Sequence, residues 1–152
     1  MSKVSAIQLN SGPNIKVNLY DVKTYIEQIS ETKTEIVVLP ENFALMPEND
    51  NDYIKFSENL DDGQIQNYIS DLARRYKLWI VAGTIPIKSQ DSERVMASTI
   101  TYDDTGKRVS LYNKIHLFDV TLPKSNESYN ESKYFMPGET IEVIDTPIGR
   151  AG

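Results

Sequence analysis

Apolar positions near the amino terminus first form a short continuous run and then recur at helical spacing. The run 4–9 is mostly apolar and stops at the turn residues 11–14, which indicates a buried strand. Asn14 follows and is expected to cap a helix that ends near Ser30. The apolar residues of this helix recur at spacings of 4, 3, 4 and 3 and share one face: Ile15, Leu19, Val22, Ile26 and Ile29.

The next segment predicts a second strand and a second helix. Residues 36–39 show no polar alternation and are rich in β-branched side chains, which is typical of a strand covered on both faces. Asp61 and Gln64 have the spacing of a capping box at the start of a helix. The helix that they introduce has the apolar stripe Ile65, Ile69, Leu72 and Tyr76.

The remainder of the chain reads as strands. Three of them are predicted at 78–85, 95–102 and 107–113, and Asp104-Thr105-Gly106 favours a hairpin between the last two. A final strand is predicted at 140–145. The order β-α-β-α-β-β-β-β predicts one continuous α/β unit that is neither a pure Rossmann fold nor a TIM barrel.

Composition narrows the classes of protein. The chain has 152 residues, 39% of them hydrophobic, which suits one domain with a core. Its net charge of -6 and pI of about 4.8 argue against sequence-independent binding to nucleic acid. The first residues turn polar too soon for a signal peptide, and no apolar run approaches the roughly 20 residues that span a bilayer. We therefore expect a cytoplasmic protein that binds neither nucleic acid nor a membrane.

Three charged residues stand out by position. Glu41 follows the strand 36–39, Lys114 follows the predicted strand 107–113, and Glu131 lies farther along. Taken singly, each has a plain structural reading: a carboxylate after a strand and a proline is commonly a helix cap or an exposed group, and a lone lysine is commonly solvated. Their joint occurrence in three motifs in a fixed order is harder to attribute to chance.

The motifs containing these residues resemble those of the nitrilase, or carbon-nitrogen hydrolase, superfamily. They are Leu39-Pro40-Glu41-Asn42-Phe43, Tyr112-Asn113-Lys114-Ile115-His116-Leu117-Phe118-Asp119, and Asn130-Glu131-Ser132-Lys133-Tyr134-Phe135-Met136-Pro137-Gly138-Glu139. The resemblance implies an α/β fold, the amino-terminal portion of a four-layer α-β-β-α sandwich. The nucleophilic cysteine of that family closes a strand after a turn similar to 146–152, and this chain contains no cysteine. Residues 1–152 are thus expected to be a partial domain that ends before that strand.

The resemblance also implies a role for each charged residue. The glutamate similar to Glu41 deprotonates the cysteine thiol, returns the proton to departing ammonia and then activates water. The lysine similar to Lys114 stabilises the tetrahedral intermediate, as a fixed cation in a dry pocket can. Glu131 is expected to pair with Lys114 and to keep it cationic. The family's reaction implies no cofactor and no metal.

The segment 114–120 with its following proline is most similar to the branch of omega-amidases and deaminated-glutathione amidases. Enzymes of that branch remove ammonia from small amides that carry a carboxylate. A relative that hydrolyses nitriles or carbamoyl amines would use the same three residues, so both substrate classes stay open.

A rival prediction is a catalytically inactive fragment that acts as a binding or self-association module. Without later strands, the sheet would keep open edges and an uncovered face, and such surfaces favour association. We therefore expect a homo-oligomer, such as a dimer, or a complementary carboxy-terminal chain that supplies the cysteine. The 152-residue chain alone is expected to be an inactive hydrolase.

Two other features suggest chemistry but favour simpler readings. His116, the only histidine, lies two residues after Lys114, and we expect a hydrogen-bonded structural role for it. The acidic segment 48–52 lacks the spacing of an EF-hand, so we expect a solvated loop near the entrance of the site and no metal ion.

Overall fold

The computed structural model describes residues 2–122 and 128–152. In this part of the chain the helices are α1 (Ile15–Ser30), α2 (Asn51–Lys55) and α3 (Gln64–Tyr76). The first strands are β1 (Val4–Ala6), β2 (Ile36–Val38), β3 (Trp79–Lys88), β4 (Val95–Tyr102) and β5 (Arg108–Asn113). They are followed by β6 (Asp119–Thr121), β7 (Ser128–Asn130), β8 (Phe135–Met136), β9 (Ile144–Thr146) and β10 (Gly149–Ala151). A single 3-10 turn, Glu131–Lys133, separates β7 from β8.

The main sheet combines parallel and antiparallel pairing. Its strand order is β1-β2-β3-β4-β5, with the first three strands parallel and the last three forming an antiparallel meander. β8 pairs with the first residues of β4 and β5 pairs with the later ones, so both strands lie beside β4. Two short hairpins, β6-β7 and β9-β10, are separate from this sheet.

Helices α1 and α3 cover one face of the sheet. Their apolar stripes pack against sheet residues with no solvent exposure: Val37, Ile80, Ala82 and Ile100. Removing this apolar surface from water is the main stabilising contribution to the core. On the opposite face Val81, Thr99 and Tyr112 are only half-buried. The described chain therefore contains one helical layer and one main sheet, two of the four layers that the resemblance implies.

Helix α1 has the start, the end and the buried face that the sequence predicts. The side chain of Asn14 accepts hydrogen bonds from the backbone N–H groups of Lys16 and Val17, which otherwise have no partner in the first turn. The helix ends at Ser30, and the stripe residues Leu19, Val22 and Ile26 are buried. This prediction is confirmed because the cap is local and the stripe can be recognised from the spacing within the helix alone.

The predicted capping box of α3 is wrong. Asp61 has a left-handed backbone (φ 64°), and its carboxylate binds the guanidinium of Arg108 with two hydrogen bonds of 2.6 and 2.8 Å. The carboxylate of Glu58 instead accepts the N–H groups of Ile65 and Gln66, at 2.6 and 3.1 Å. A negative charge at this end of the helix is favourable whichever residue supplies it.

The strand predictions are confirmed for the meander and partly wrong at the carboxyl end. The hairpin between β4 and β5 turns through Gly106, whose φ of 81° suits glycine. The predicted strand 140–145 is replaced by the small hairpin of β9 and β10, because Ile141 and Val143 are 81% and 50% exposed and pair with no described strand. β3 also extends beyond the predicted end to Lys88.

No helix within the described residues is both long and apolar enough to cross a membrane.

Candidate active site

Glu41 lies just beyond the carboxyl end of β2. The backbone N–H of Leu39 still donates to the carbonyl of Val81 in β3, after which Pro40, which has no N–H to donate, ends the strand pairing before a turn at 41–42. The turn is anchored by three consecutive buried residues, 43–45. This anchoring leaves Glu41 at the surface of the cleft, where its side chain is 53% exposed.

Lys114 follows β5 at the junction between β5 and β8. Its N–H donates to the carbonyl of Ala97 in β4 at 2.9 Å, and its carbonyl accepts from the N–H of Gly138 at 2.8 Å. Gly138 packs directly on Asn113, the residue before Lys114, because a Cβ added to Gly138 would lie 2.1 Å from the carbonyl oxygen of Asn113. Both backbone groups of Lys114 are thereby fixed, and its side chain is 22% exposed.

Glu131 begins the 3-10 turn and is tied to the segment that follows Lys114. Its N–H donates to the carbonyl of Phe118 at 3.3 Å, and its carboxylate accepts from the N–H of Phe118 at 2.6 Å. The next residue, Ser132, donates its N–H to the carboxylate of Asp119 at 2.9 Å. The side chain of Glu131 is the least exposed of the three, at 17%.

The structure brings these three side chains together from widely separated parts of the chain. The Nζ of Lys114 lies 2.8 Å from Oε1 of Glu41 and 2.9 Å from Oε2 of Glu131. The ammonium group therefore bridges two carboxylates, as the resemblance implied for the pair with Glu131.

The two carboxylates determine the ionisation of Lys114. Burial lowers the pKa of Lys114, but hydrogen bonds and charge attraction from Glu41 and Glu131 outweigh that effect. The net result is a pKa raised above the ordinary 10.5. Lys114 is therefore a cation at neutral pH, and it can stabilise negative charge that develops beside it.

The bridged charges lie in a cleft of about 350 Å³. Aromatic side chains form much of its wall: Tyr53, Phe118, Tyr129, Tyr134 and Phe135. A cleft that combines aromatic side chains with converging polar groups is suited to a small ligand.

Tyr53 is a polar group in this wall that the sequence did not single out. Its ring packs edge-on against Phe135, with centroids 4.8 Å apart. Burial, followed by the negative charges of Asp50, Glu41 and Glu131, raises the pKa of Tyr53 to about 12. The phenol therefore stays protonated at neutral pH and can donate a hydrogen bond. Its position in the five-residue helix α2 gave no periodic signal that could have identified it.

The other two features noted in the sequence have different outcomes. His116 is exposed, does not line the cleft and has no hydrogen bond to a described residue, so the expected structural bond is not found there. Asp50, from the acidic segment, lies at the cleft as expected, but the segment is a loop only as far as Asp50, because Asn51 and Asp52 belong to α2. Within residues 2–122 and 128–152 no group of three acidic, histidine or cysteine side chains could hold a metal ion.

Comparison with known proteins supports the motif-based prediction. The family model described as carbon-nitrogen hydrolase matches residues 3–152, nearly the whole chain. The chain belongs to the carbon-nitrogen hydrolase family. Its predicted membership is thus confirmed.

Individual members of the family refine the assignment. A deaminated glutathione amidase of Yersinia enterocolitica is 36% identical over 99% of this chain and 52% of its own length. The omega-amidase NIT3 of Saccharomyces cerevisiae is 33% identical over 99% of this chain and 53% of its own length. The chain therefore spans about half the length of these curated relatives.

Solved structures of relatives share the fold. The Caenorhabditis elegans NitFhit protein superposes with a TM-score of 0.85 at 30% identity, over 99% of this chain and 37% of that one. Yeast Nit3, described as a member of branch 10 of the nitrilase superfamily, superposes with a TM-score of 0.75 at 31% identity, over 93% and 49%. The predicted α/β fold class is confirmed, and the similarity is to part of each relative.

Proposed function

We propose that this chain belongs to an amidase that hydrolyses the carbon–nitrogen bond of a small carboxylate-bearing amide. The observation that carries the proposal is the ammonium group of Lys114, held within 3.0 Å of the carboxylates of Glu41 and Glu131 in a cleft. Glu41 is the proposed base, Lys114 the cation beside the oxyanion, and Glu131 the partner that positions Lys114. The nucleophile is a cysteine supplied by residues outside this chain.

The geometry supports this division of roles. Glu41 is half-exposed on the cleft side, so an incoming thiol or water can reach its free carboxylate oxygen. Glu131 is mostly buried and also accepts from a backbone N–H, which suits a fixed support better than a group that exchanges protons. Lys114 lies between them with its charge maintained, as stabilisation of an oxyanion requires.

A carboxylate-bearing substrate is supported by the relatives named omega-amidase and deaminated glutathione amidase. Among the described residues of the cleft wall, Lys114 is the one cation, and two carboxylates already neutralise it. Recognition of the substrate's carboxylate is therefore assigned to groups outside the described wall. Pro123, the proline that follows the segment 114–120, lies outside the described residues.

We further propose that residues 1–152 form a partial hydrolase domain. Two observations support a partial domain. The sheet face opposite the helices is only half-buried, and the chain matches about half the length of its relatives. A cytoplasmic location and a homo-oligomer, or a complementary carboxy-terminal chain, stay predictions.

A second candidate is an inactive binding or self-association module. The half-buried sheet face opposite the helices favours it, since an apolar face of that kind promotes association. Ser128 lines the cleft, but its described hydrogen bond is to the hydroxyl of Thr121 at 3.4 Å and not to a base.

Ammonia release separates the two candidates. We expect none from the 152-residue chain incubated with the monoamide of a short dicarboxylic acid, because the chain contains no cysteine to attack the amide. We expect turnover from the full-length enzyme, meaning these residues together with the segment that supplies the cysteine. The methyl ester of the same monoamide should react more slowly if the carboxylate is recognised.

Each result has a defined meaning. Ammonia release by the chain alone would contradict the missing-nucleophile prediction, and equal rates for acid and ester would contradict the substrate class. A stable dimer of the chain in analytical ultracentrifugation, with no activity after addition of any cysteine-bearing segment, would favour the binding module.

A further inference from the structure

Strand β3 contains an irregularity beside Glu41. Ala82 lies opposite Ile100 of β4, but Thr84 lies opposite Thr99, so the intervening Gly83 is an extra residue on β3. Such a bulge bends a strand and changes the direction of nearby groups, and bulges are frequent next to active sites.

Gly83 allows the chain before Glu41 to cross β3 at close range. An added Cβ at this position would lie 1.8 Å from the carbonyl oxygen of Pro40 and 2.4 Å from its carbonyl carbon. Both contacts are with backbone, which cannot rotate aside as a flexible side chain can. Any side chain at Gly83 would therefore displace the residue that immediately precedes Glu41.

Thr84 holds the residue that follows Glu41. Its hydroxyl accepts a hydrogen bond from the N–H of Asn42 at 2.9 Å and donates to the Asn42 side-chain oxygen at 3.2 Å. Asn42 has a φ of 55°, a left-handed conformation that costs energy for a residue other than glycine. The two hydrogen bonds help to maintain that conformation.

These contacts fix the backbone on both sides of a half-exposed side chain. Lys114 is the only hydrogen-bond partner of the Glu41 carboxylate among the described residues. The direction of Glu41 therefore depends strongly on its backbone, which is held at Pro40 and at Asn42.

We propose that the bulge Gly83–Thr84 is the element that positions Glu41, with Thr84 as a positioning residue for the hydrolytic reaction. The inference rests on the proposed function, in which Glu41 is the base. Thr84 acts through Asn42 and does not contact the substrate itself. Loss of its hydroxyl leaves Asn42 free to relax, and the Glu41 carboxylate moves with it.

The test compares Thr84→Val with Thr84→Ser in the full-length enzyme. Valine keeps the shape of threonine but removes the hydroxyl, whereas serine keeps the hydroxyl. We expect Thr84→Val to lower kcat about 10-fold to 100-fold with KM unchanged, and Thr84→Ser to retain most of the activity. Gly83→Ala is less informative because its backbone clash can prevent folding.

Thr101→Val is the matched control. Thr101 is a buried threonine on the adjacent strand β4, and its hydroxyl has no hydrogen bond to a described residue. The thermal stability of both valine variants is measured, and kcat is determined well below both unfolding temperatures. We expect Thr101→Val to keep the kcat of the unmodified enzyme.

The pKa of Lys114, followed by NMR of its ε-carbon, provides a readout that needs no turnover. The hydrogen bond that Lys114 donates to Glu41 raises the pKa of Lys114, so displacement of Glu41 in Thr84→Val should lower that pKa, and Thr101→Val should not change it. If Glu41→Gln kept full activity, the proposed function would fail, and the pKa of Lys114 would still report on positioning.

Three outcomes would overturn the positioning role. They are an unchanged kcat and an unchanged Lys114 pKa in Thr84→Val, an equal loss of kcat in Thr84→Ser, and an equal loss in Thr101→Val.

Discussion

Replacement of Lys114 by alanine in the full-length enzyme is expected to slow acylation by a small amide about 100-fold to 1,000-fold or more. The first reason is loss of the cation proposed to face the oxyanion. The second is that Glu41 and Glu131, which share the Nζ of Lys114 at 2.8 and 2.9 Å, lose the charge that separates them. Without that charge the two carboxylates repel each other, which moves Glu41 away from the position in which it can accept the proton of the thiol.

The measurement is the single-turnover rate of acyl-enzyme formation, with circular dichroism to check that the fold is intact. Lys23→Ala is the matched control, since Lys23 also pairs with a glutamate, Glu27, but on the surface of α1. We expect the control to keep full activity. Unimpaired acylation by Lys114→Ala would rule out the oxyanion role.

The ionisation of Lys114 determines the pH at which Lys114→Ala should be compared with the unmodified enzyme. The pKa of Lys114 is raised in the folded state, so its ion pairs stabilise the fold fully below the unfolded value of about 10.5. That contribution is lost only as the pH rises through the higher, folded value. Near neutral pH the comparison therefore measures removal of a charged group.

Local interactions explain which parts of the fold the sequence predicts. The start and end of α1 depend on Asn14 and on a stripe within the same helix. The hairpin at Gly106 depends on a turn of a few residues, in which the N–H of Gly106 donates to the carbonyl of Asp103 at 2.9 Å. Neither requires knowledge of distant segments.

Long-range contacts explain the errors. The spacing of Asp61 and Gln64 fits a capping box, but Arg108, 47 residues away, attracts the carboxylate of Asp61. Glu58 then supplies the negative charge at the start of α3, which no short spacing rule includes. Competition between a local and a distant partner is decided only in the folded chain.

The site shows the same division. The order of the motifs identified Glu41, Lys114 and Glu131 as candidates, and the structure brings them together. The sequence did not identify Tyr53 or Thr84, because their significance depends on which segments meet at the cleft and at the bulge. Gly83 was visible as a lone glycine in a predicted strand, a pattern that suggests a bulge or a close backbone approach.

Glu41→Gln is expected to lower kcat/KM of the full-length enzyme about 100-fold to 10,000-fold. Glutamine has the shape of glutamate, and its side-chain oxygen can still accept the hydrogen bond from Lys114, so the geometry of the site should be retained. What is lost is the ability to take the proton from the thiol and to return it to departing ammonia. Without that transfer, both the formation of the thiolate and the release of the leaving group become slower.

The rate of alkylation of the nucleophilic cysteine by iodoacetamide tests the first of these steps separately, because the thiolate is the reactive form. We expect Glu41→Gln to slow alkylation and Glu131→Gln to slow it less, since Glu131 is assigned to hold Lys114 and not to accept the proton. Glu27→Gln, on the surface of α1, should leave the rate unchanged. If Glu131→Gln slowed alkylation more than Glu41→Gln did, the base would be Glu131, and the half-exposed carboxylate would have to be assigned another role.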